Sequence, residues 1–256
     1  MLTINRGQMT AFETVALRQF ENEMIGHLKV FAAKHCEILG VEGVRKVIRR
    51  GMERAAAHGF TNRGPLRLYL EAMFMLGSDF DTDPQLPWAA RILGDRKTAD
   101  QMVRADRLYG CLTDYVDQVA GPDDAFAKEA LRRARRVRFE DLATAGGDRE
   151  KQILARFEAN YPEKCRYVGE PALRTILHRG ATLGREHGVS SDAGVVLMIG
   201  LMFILGHGFA ADPQFPWIAL TLSNGRIEDP NRRAERLYSK SMTYLDRVLA
   251  YHQQPR

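Results

Sequence analysis

The acidic string Asp79, Asp81 and Asp83 carries residue types suited to binding a cation, because alternate carboxylates on a loop can converge on a hard ion. A calcium loop of that kind needs glycine at its sixth position and an acidic residue at its twelfth. This chain has Pro84 and Ala90 there, so the pattern predicts no metal site. His58 and His187 each precede a glycine at the expected end of a helix, where a histidine can meet terminal carbonyls and the negative end of the helix dipole. That capping role accounts for them better than catalysis, which needs a partnered nucleophile or carboxylate. Cys36, Cys111 and Cys165 form no CxxC pair and no metal-ligand spacing. No nucleophile elbow, paired-histidine zinc motif or phosphate-cradling glycine loop occurs. The expectation is a non-enzymatic protein with no catalytic residue, metal or cofactor.

A second chemical candidate is the basic run LRRARRVRF, with Arg132, Arg133, Arg135, Arg136 and Arg138. At 100° per residue these arginines wrap much of a helix and form no single stripe. A solvated helix balanced by Glu129, Glu140 and Asp141 is the plain reading, and a patch for an acidic protein partner is the functional one. The run lacks interleaved aromatic residues to stack on bases, so nucleic acid is not expected. The net charge of +5 permits such partners without requiring any.

These residues sit on a duplicated framework. At an offset of 129 residues, MFMLG at Met73 matches MFILG at Met202, and FDTDPQLPW at Phe80 matches FAADPQFPW at Phe209. The same offset matches RLYGCLTDYVDQV at Arg107 to RLYSKSMTYLDRV at Arg236. From Cys36/Cys165 to Val119/Val248, 29 of 84 ungapped pairs are identical, which chance does not produce. Periodicity and caps predict an all-α fold of two pseudo-symmetric repeats, each of about four helices. The first occupies 1–121, and a connecting helix with the second repeat occupies 122–256.

In the first copy the expected helices run over about 9–34, with Phe12 and Phe20 on the inner face, then 42–57, a third capped by Thr61, and 98–119. Helix three of the second copy, AGVVLMIGLMFIL, is apolar all round, yet His207 and Asp212 close it well short of the about 20 residues a membrane span needs. It reads as a central helix packed against the other copy through Gly194 and Gly200. Alternatively it lines an apolar pocket with Leu197, Met198, Leu201 and Met202. Charged residues interrupt the N-terminal stretch, so it lacks a signal-peptide core, and the unpatterned cysteines fit a cytoplasmic location.

Residues shared by the copies read as structural anchors: Asp83 and Asp212 in the loop turns, Trp88 and Trp217 plugging those loops into like surroundings, and Arg107, Tyr109, Arg236 and Tyr238 on the last helix. Arg107 and Arg236 are expected to pair with Asp83 and Asp212.

The run LYLEAMFMLGSDFDTDPQLPWAARIL, followed by RADRLY, resembles a group of small helical proteins of Gram-negative bacteria encoded in type VI secretion clusters. The stretch QMTAFETVALRQFENEMIGHLKVFAAKHCEILG is similar to the start of the same group. The resemblance covers the first copy and more weakly the second. It implies a protein-binding accessory, either an adaptor or chaperone for an effector or an immunity protein that neutralises a toxin. Its partner would be an effector toxin or spike component. It carries no active-site residues over.

Overall fold

The structure, a computed structural model, describes residues 6–144 and 146–252. The side chain of Phe12 lies outside the described residues. Twelve α-helical segments are present, with no strand among the described residues: α1 Arg6–Phe31, α2 Ala33–Ala57, α3 Arg63–Leu76, α4 Pro87–Leu93, α5 Gln101–Tyr115, α6 Ala125–Arg136, α7 Arg149–Asn160, α8 Pro162–Val168, α9 Glu170–Glu186, α10 Asp192–Leu205, α11 Pro216–Leu222 and α12 Pro230–His252. α5 continues as a wider turn over Val116–Ala120. No described helix is long and apolar enough to cross a membrane.

Helix boundaries recur at the sequence offset. Leu76 and Leu205 end α3 and α10, and Gly77 (φ 98°) and Gly206 (φ 94°) follow them. That left-handed backbone favours glycine. Pro87 and Pro216 open α4 and α11, where a missing N–H costs no helical bond. α2 is broken at Gly40 (φ 68°), which matches the gap between α8 and α9 at Gly169 (φ 79°). The expected start at 42 was thus the second part of α2.

Two other local expectations are corrected, and one cap, expected at Ser190 or Ser191, falls on Ser191. Thr61 does not cap α3: the cap position is Asn62, and Thr61 instead bonds Gln101. The connecting helix stops at Arg136, and Arg138 lies in the loop beyond it. Ser191 does cap α10, accepting from the Gly194 amide at 3.2 Å.

Two apolar clusters form the core. One gathers Leu28, Val47, Leu70, Phe80, Trp88 and Leu108, and the other gathers Ile176, Met198, Phe203, Phe209, Ile218 and Leu237. Each fully buried Leu, Ile or Phe contributes about 1.5–3 kcal/mol. α10 runs through the second cluster, packed mainly on α9 and α12, and only its C-terminal end meets the first half, at Gly77 and Gln85. A Cβ on Gly194 would lie 2.9 Å from Ala234 Cβ, so this glycine permits close approach to α12.

Candidate functional site

The loops that follow α3 and α10 meet face to face. Asp83 accepts from the Gln85 amide at 2.8 Å, an Asx turn within its own loop, and from the His207 amide at 2.8 Å across the seam. Asp212 does the reverse, accepting from Gln214 N at 2.9 Å, from Ser78 N at 2.8 Å and from Ser78 Oγ at 2.5 Å. Gln85 donates to the Met202 carbonyl at 3.4 Å, and Gln214 donates to the Met73 carbonyl at 2.8 Å. Donors and acceptors 129 residues apart therefore exchange bonds. Gly77 and Gly206 face each other, and Gly208 stands against the Asp79 carboxylate. An aspartate at 208 would set two carboxylates together, which explains why the acidic string is not repeated.

Asp83 and Asp212 are 3% and 2% exposed, so every bond to them is made in a dry setting. Burial pushes the Asp83 pKa up, but the His207 side chain and the Gln85 and His207 amides together hold it below its usual value. Burial raises the pKa of Asp212, and its Ser78 and Gln214 bonds only partly offset this.

The acidic string does not converge on a point. Asp79 takes Arg50 at 2.8 Å and Arg54 at 2.9 Å. Asp81 takes Arg54, His58 Nε2 at 2.8 Å and Tyr69 Oη at 2.8 Å. Burial would raise the Asp81 pKa, but the His58, Arg54 and Tyr69 bonds hold it at about 2. The second half has Met198 and Ala210 where the first has Tyr69 and Asp81, so apolar packing replaces this network. The His58 ring thus serves Asp81 and not the helix end.

Beside the seam lies an apolar chamber of about 920 Å³. One wall is the outer face of α10, with Leu197, Gly200, Leu201 and Ile204. Others are the α1–α2 junction (Phe31, His35), α12 (Tyr244, Leu245), and the inner side of α6 (Leu131, Ala134). Its floor is aromatic: His35 lies 5.5 Å from Phe215, and Trp217 lies 6.0 Å from Tyr244, between ring centroids. His35 Nδ1 and the Tyr244 hydroxyl are hydrogen-bonded at 3.0 Å. Val30, Phe31 and Met75, which line the same chamber, are 85%, 41% and 42% exposed, so its mouth is an exposed apolar patch. Of the four residues expected to form a pocket, Leu197 and Leu201 line the chamber. Met198 and Met202 point into the core on the opposite side of α10.

The matching side of the seam is packed differently. Tyr167 of α8 packs edge-on against Tyr115 at 5.1 Å, and Lys164, which matches His35, lies over Phe203 at 4.6 Å. The residue matching Tyr167 is Ile38, which is smaller. Trp88 is accordingly 6% exposed in the first core, whereas Trp217 is half-buried on the chamber wall. The expectation of like surroundings for the two tryptophans is corrected: neighbours, not the shared loop, decide what each indole covers.

The other expected anchors divide. Arg107 pairs with Asp95 at 3.0 Å and not with Asp83, Arg236 is exposed, and Tyr109 is 61% exposed. Arg107 thus holds the α4–α5 loop and not the loop of Asp83. Tyr238 does reach a partner, the Val137 carbonyl, at 2.9 Å. The anchoring arginines lie one turn earlier: Arg104 donates to the His58 carbonyl at 2.7 Å, and Arg233 donates to the His187 carbonyl at 2.6 Å. Both were visible as identities in RADRLY and RAERLY.

In the basic run, Arg132 and Arg133 pair with Glu129, Arg135 pairs with Asp246 and Arg138 pairs with Asp141. Arg136 has no ion-pair partner among the described residues, and it lines the chamber together with Arg133. Comparison with protein families, curated proteins and solved structures finds no match to this chain.

The buried groups set an acid limit. Burial lowers the His35 pKa from 6.5 to about 4, and Asp81 falls from 3.8 to about 2. In both cases the unfolded chain binds more protons, so stability present at neutral pH is lost as pH falls from about 6.5 towards 2. Asp212, with its raised pKa, acts in the opposite sense and blunts the curve. Urea unfolding at pH 7 and pH 4 is expected to differ by a few kcal/mol, on the order of 3. His35→Gln should flatten the part of the profile between its two pKa values.

Proposed function

We propose that this chain is a non-enzymatic binding protein of two pseudo-symmetric helical repeats, and that its binding element is the apolar chamber beside their seam. The observation that carries this reading is the chamber itself. About 920 Å³ falls within the roughly 300–1,000 Å³ range of ligand sites, and its apolar walls end in an exposed apolar mouth. The reciprocal bonds of Asp83 and Asp212 support the repeat reading, and the Tyr167 packing on the matching side sets the chamber apart from its counterpart. The ligand in this reading is an apolar small molecule or lipid.

Gly200 supplies the test. It lies inside α10, lines the chamber, and a Cβ built on it meets nothing within 4 Å. Gly200→Phe should therefore fill the chamber while helix stability is kept or improved. After incubation with a bacterial lipid extract, native mass spectrometry is expected to show a bound mass on the parent protein and none on the variant. Binding to neither, or equally to both, would contradict the reading.

A second reading, implied by the resemblance, is an adaptor, chaperone or immunity protein for a type VI secretion effector, working in the cytoplasm. The exposed Val30, Phe31 and Met75 favour it, because an amphipathic helix of a partner seats its apolar face in such a groove. Co-expression with the neighbouring toxin tests it. Rescue of growth means immunity, and loss of secretion with protection intact means an adaptor.

A further inference from the structure

Charge at the chamber mouth narrows the ligand class, given that the chamber is the binding site. The lining holds four cationic side chains, Lys34, Arg133, Arg136 and Arg156, against two carboxylates, Asp124 and Asp141. Most of these are already engaged: Lys34 with Glu37 at 2.8 Å, Arg133 with Glu129 at 3.3 Å, Asp141 with Arg138 at 2.9 Å and Asp124 with Lys128 at 4.0 Å. Two guanidinium groups remain without a carboxylate. Arg156 donates only to the Leu142 and Ala143 carbonyls, at 2.8 and 3.0 Å, and Arg136 has no polar partner among the described residues. A guanidinium presents five donors in a fork that matches a carboxylate, so both retain unused donors toward the chamber.

We propose that the ligand is an anionic amphiphile, a long-chain monocarboxylate, whose hydrocarbon tail lies along Leu197, Leu201 and Leu245 and whose head pairs with Arg136 and Arg156. Neither arginine has a carboxylate at ion-pair distance among the described residues: Asp141, which lies near Arg156, is held by Arg138, and a wholly apolar ligand would leave the two guanidinium charges beside hydrocarbon. An anionic head at the mouth satisfies both requirements. Arg136 is exposed at the end of α6, so removing its charge does not disturb the core.

The test is displacement of a fluorescent long-chain carboxylate from the full chain by decanoate and by decanol, which share a tail length and differ in the head. Decanoate is expected to displace the probe at a concentration at least tenfold lower than decanol. Arg136→Ala should weaken decanoate about tenfold and leave decanol unchanged, and Gly200→Phe should abolish both. Equal potency of the two competitors, or an Arg136→Ala protein that binds decanoate normally, would overturn the anionic-head inference while leaving the chamber as the site. Binding of neither compound nor the probe would overturn the chamber reading as well, and so would a dimer that covers the mouth.

Discussion

Asp83→Ala is expected to cost about 3–5 kcal/mol of folding stability, read as a shift in the urea midpoint with an unchanged slope. The carboxylate is 3% exposed and accepts from two amides, the buried Gln85 N and the half-buried His207 N, each at 2.8 Å. Truncation leaves both donors without an acceptor, and each orphaned buried donor costs about 1–3 kcal/mol. Asp212→Ala should behave alike, because Ser78 and Gln214 lose the same kind of acceptor. The two effects should not add. Either change opens the shared seam, and the second then removes bonds already weakened. Glu37→Ala is the control: it removes the exposed partner of Lys34 and should shift the midpoint little.

Gly77→Ala carries the second large effect. Its φ of 98° lies where an L side chain is strained, and a Cβ there would stand 2.6 Å from the backbone oxygen of Leu205 across the seam. Backbone strain of this kind costs about 1–3 kcal/mol. The clash cannot be relieved by rotating a side chain, because the neighbour is main chain. Together these should lower stability by more than about 3 kcal/mol, or prevent the halves from docking. Gly110→Ala, at an exposed position of α5 with nothing within 4 Å of its Cβ, should instead stabilise by up to about 1 kcal/mol. Thermal melts of the two variants separate a docking glycine from a helical one.

Much of the framework was legible in the sequence because it depends on local rules. Glycine after an apolar helix, proline at a first helical turn and Asp-Pro-Gln in a turn act through the backbone, so α3, α4, α10 and α11 end where their residue types require. The all-helical class followed from the same periodicity. What the sequence did not reveal depends on who the neighbour is. Asp83 and Asp212 were read as local turn formers, and half of their bonds proved to run to the opposite loop. A tertiary acceptor leaves no periodic trace, although the paired retention of Gln85 and Gln214 hinted at a role beyond the turn.

The chamber was half legible. The apolar helix of the second copy and the basic run were each read as possible binding elements, but nothing in the sequence showed that both border one cavity. The identical Trp88 and Trp217 misled for the same reason. The space beside one is taken by Tyr167, and the matching position carries Ile38. Arg107 misled because charge and repetition were counted without asking which turn of the helix faces inward. Arg104, three residues earlier, is 7% exposed and makes the bond.

Amide hydrogen exchange at Ser78 and His207 tests the seam most directly. If each amide is held by the opposite half's aspartate, both should exchange only through global unfolding, as slowly as the interior of α10, and Asp212→Ala should release Ser78 first. Exchange of both within minutes, while α3 and α10 stay protected, would mean that the loops do not clasp one another and that the chamber lacks the frame described for it.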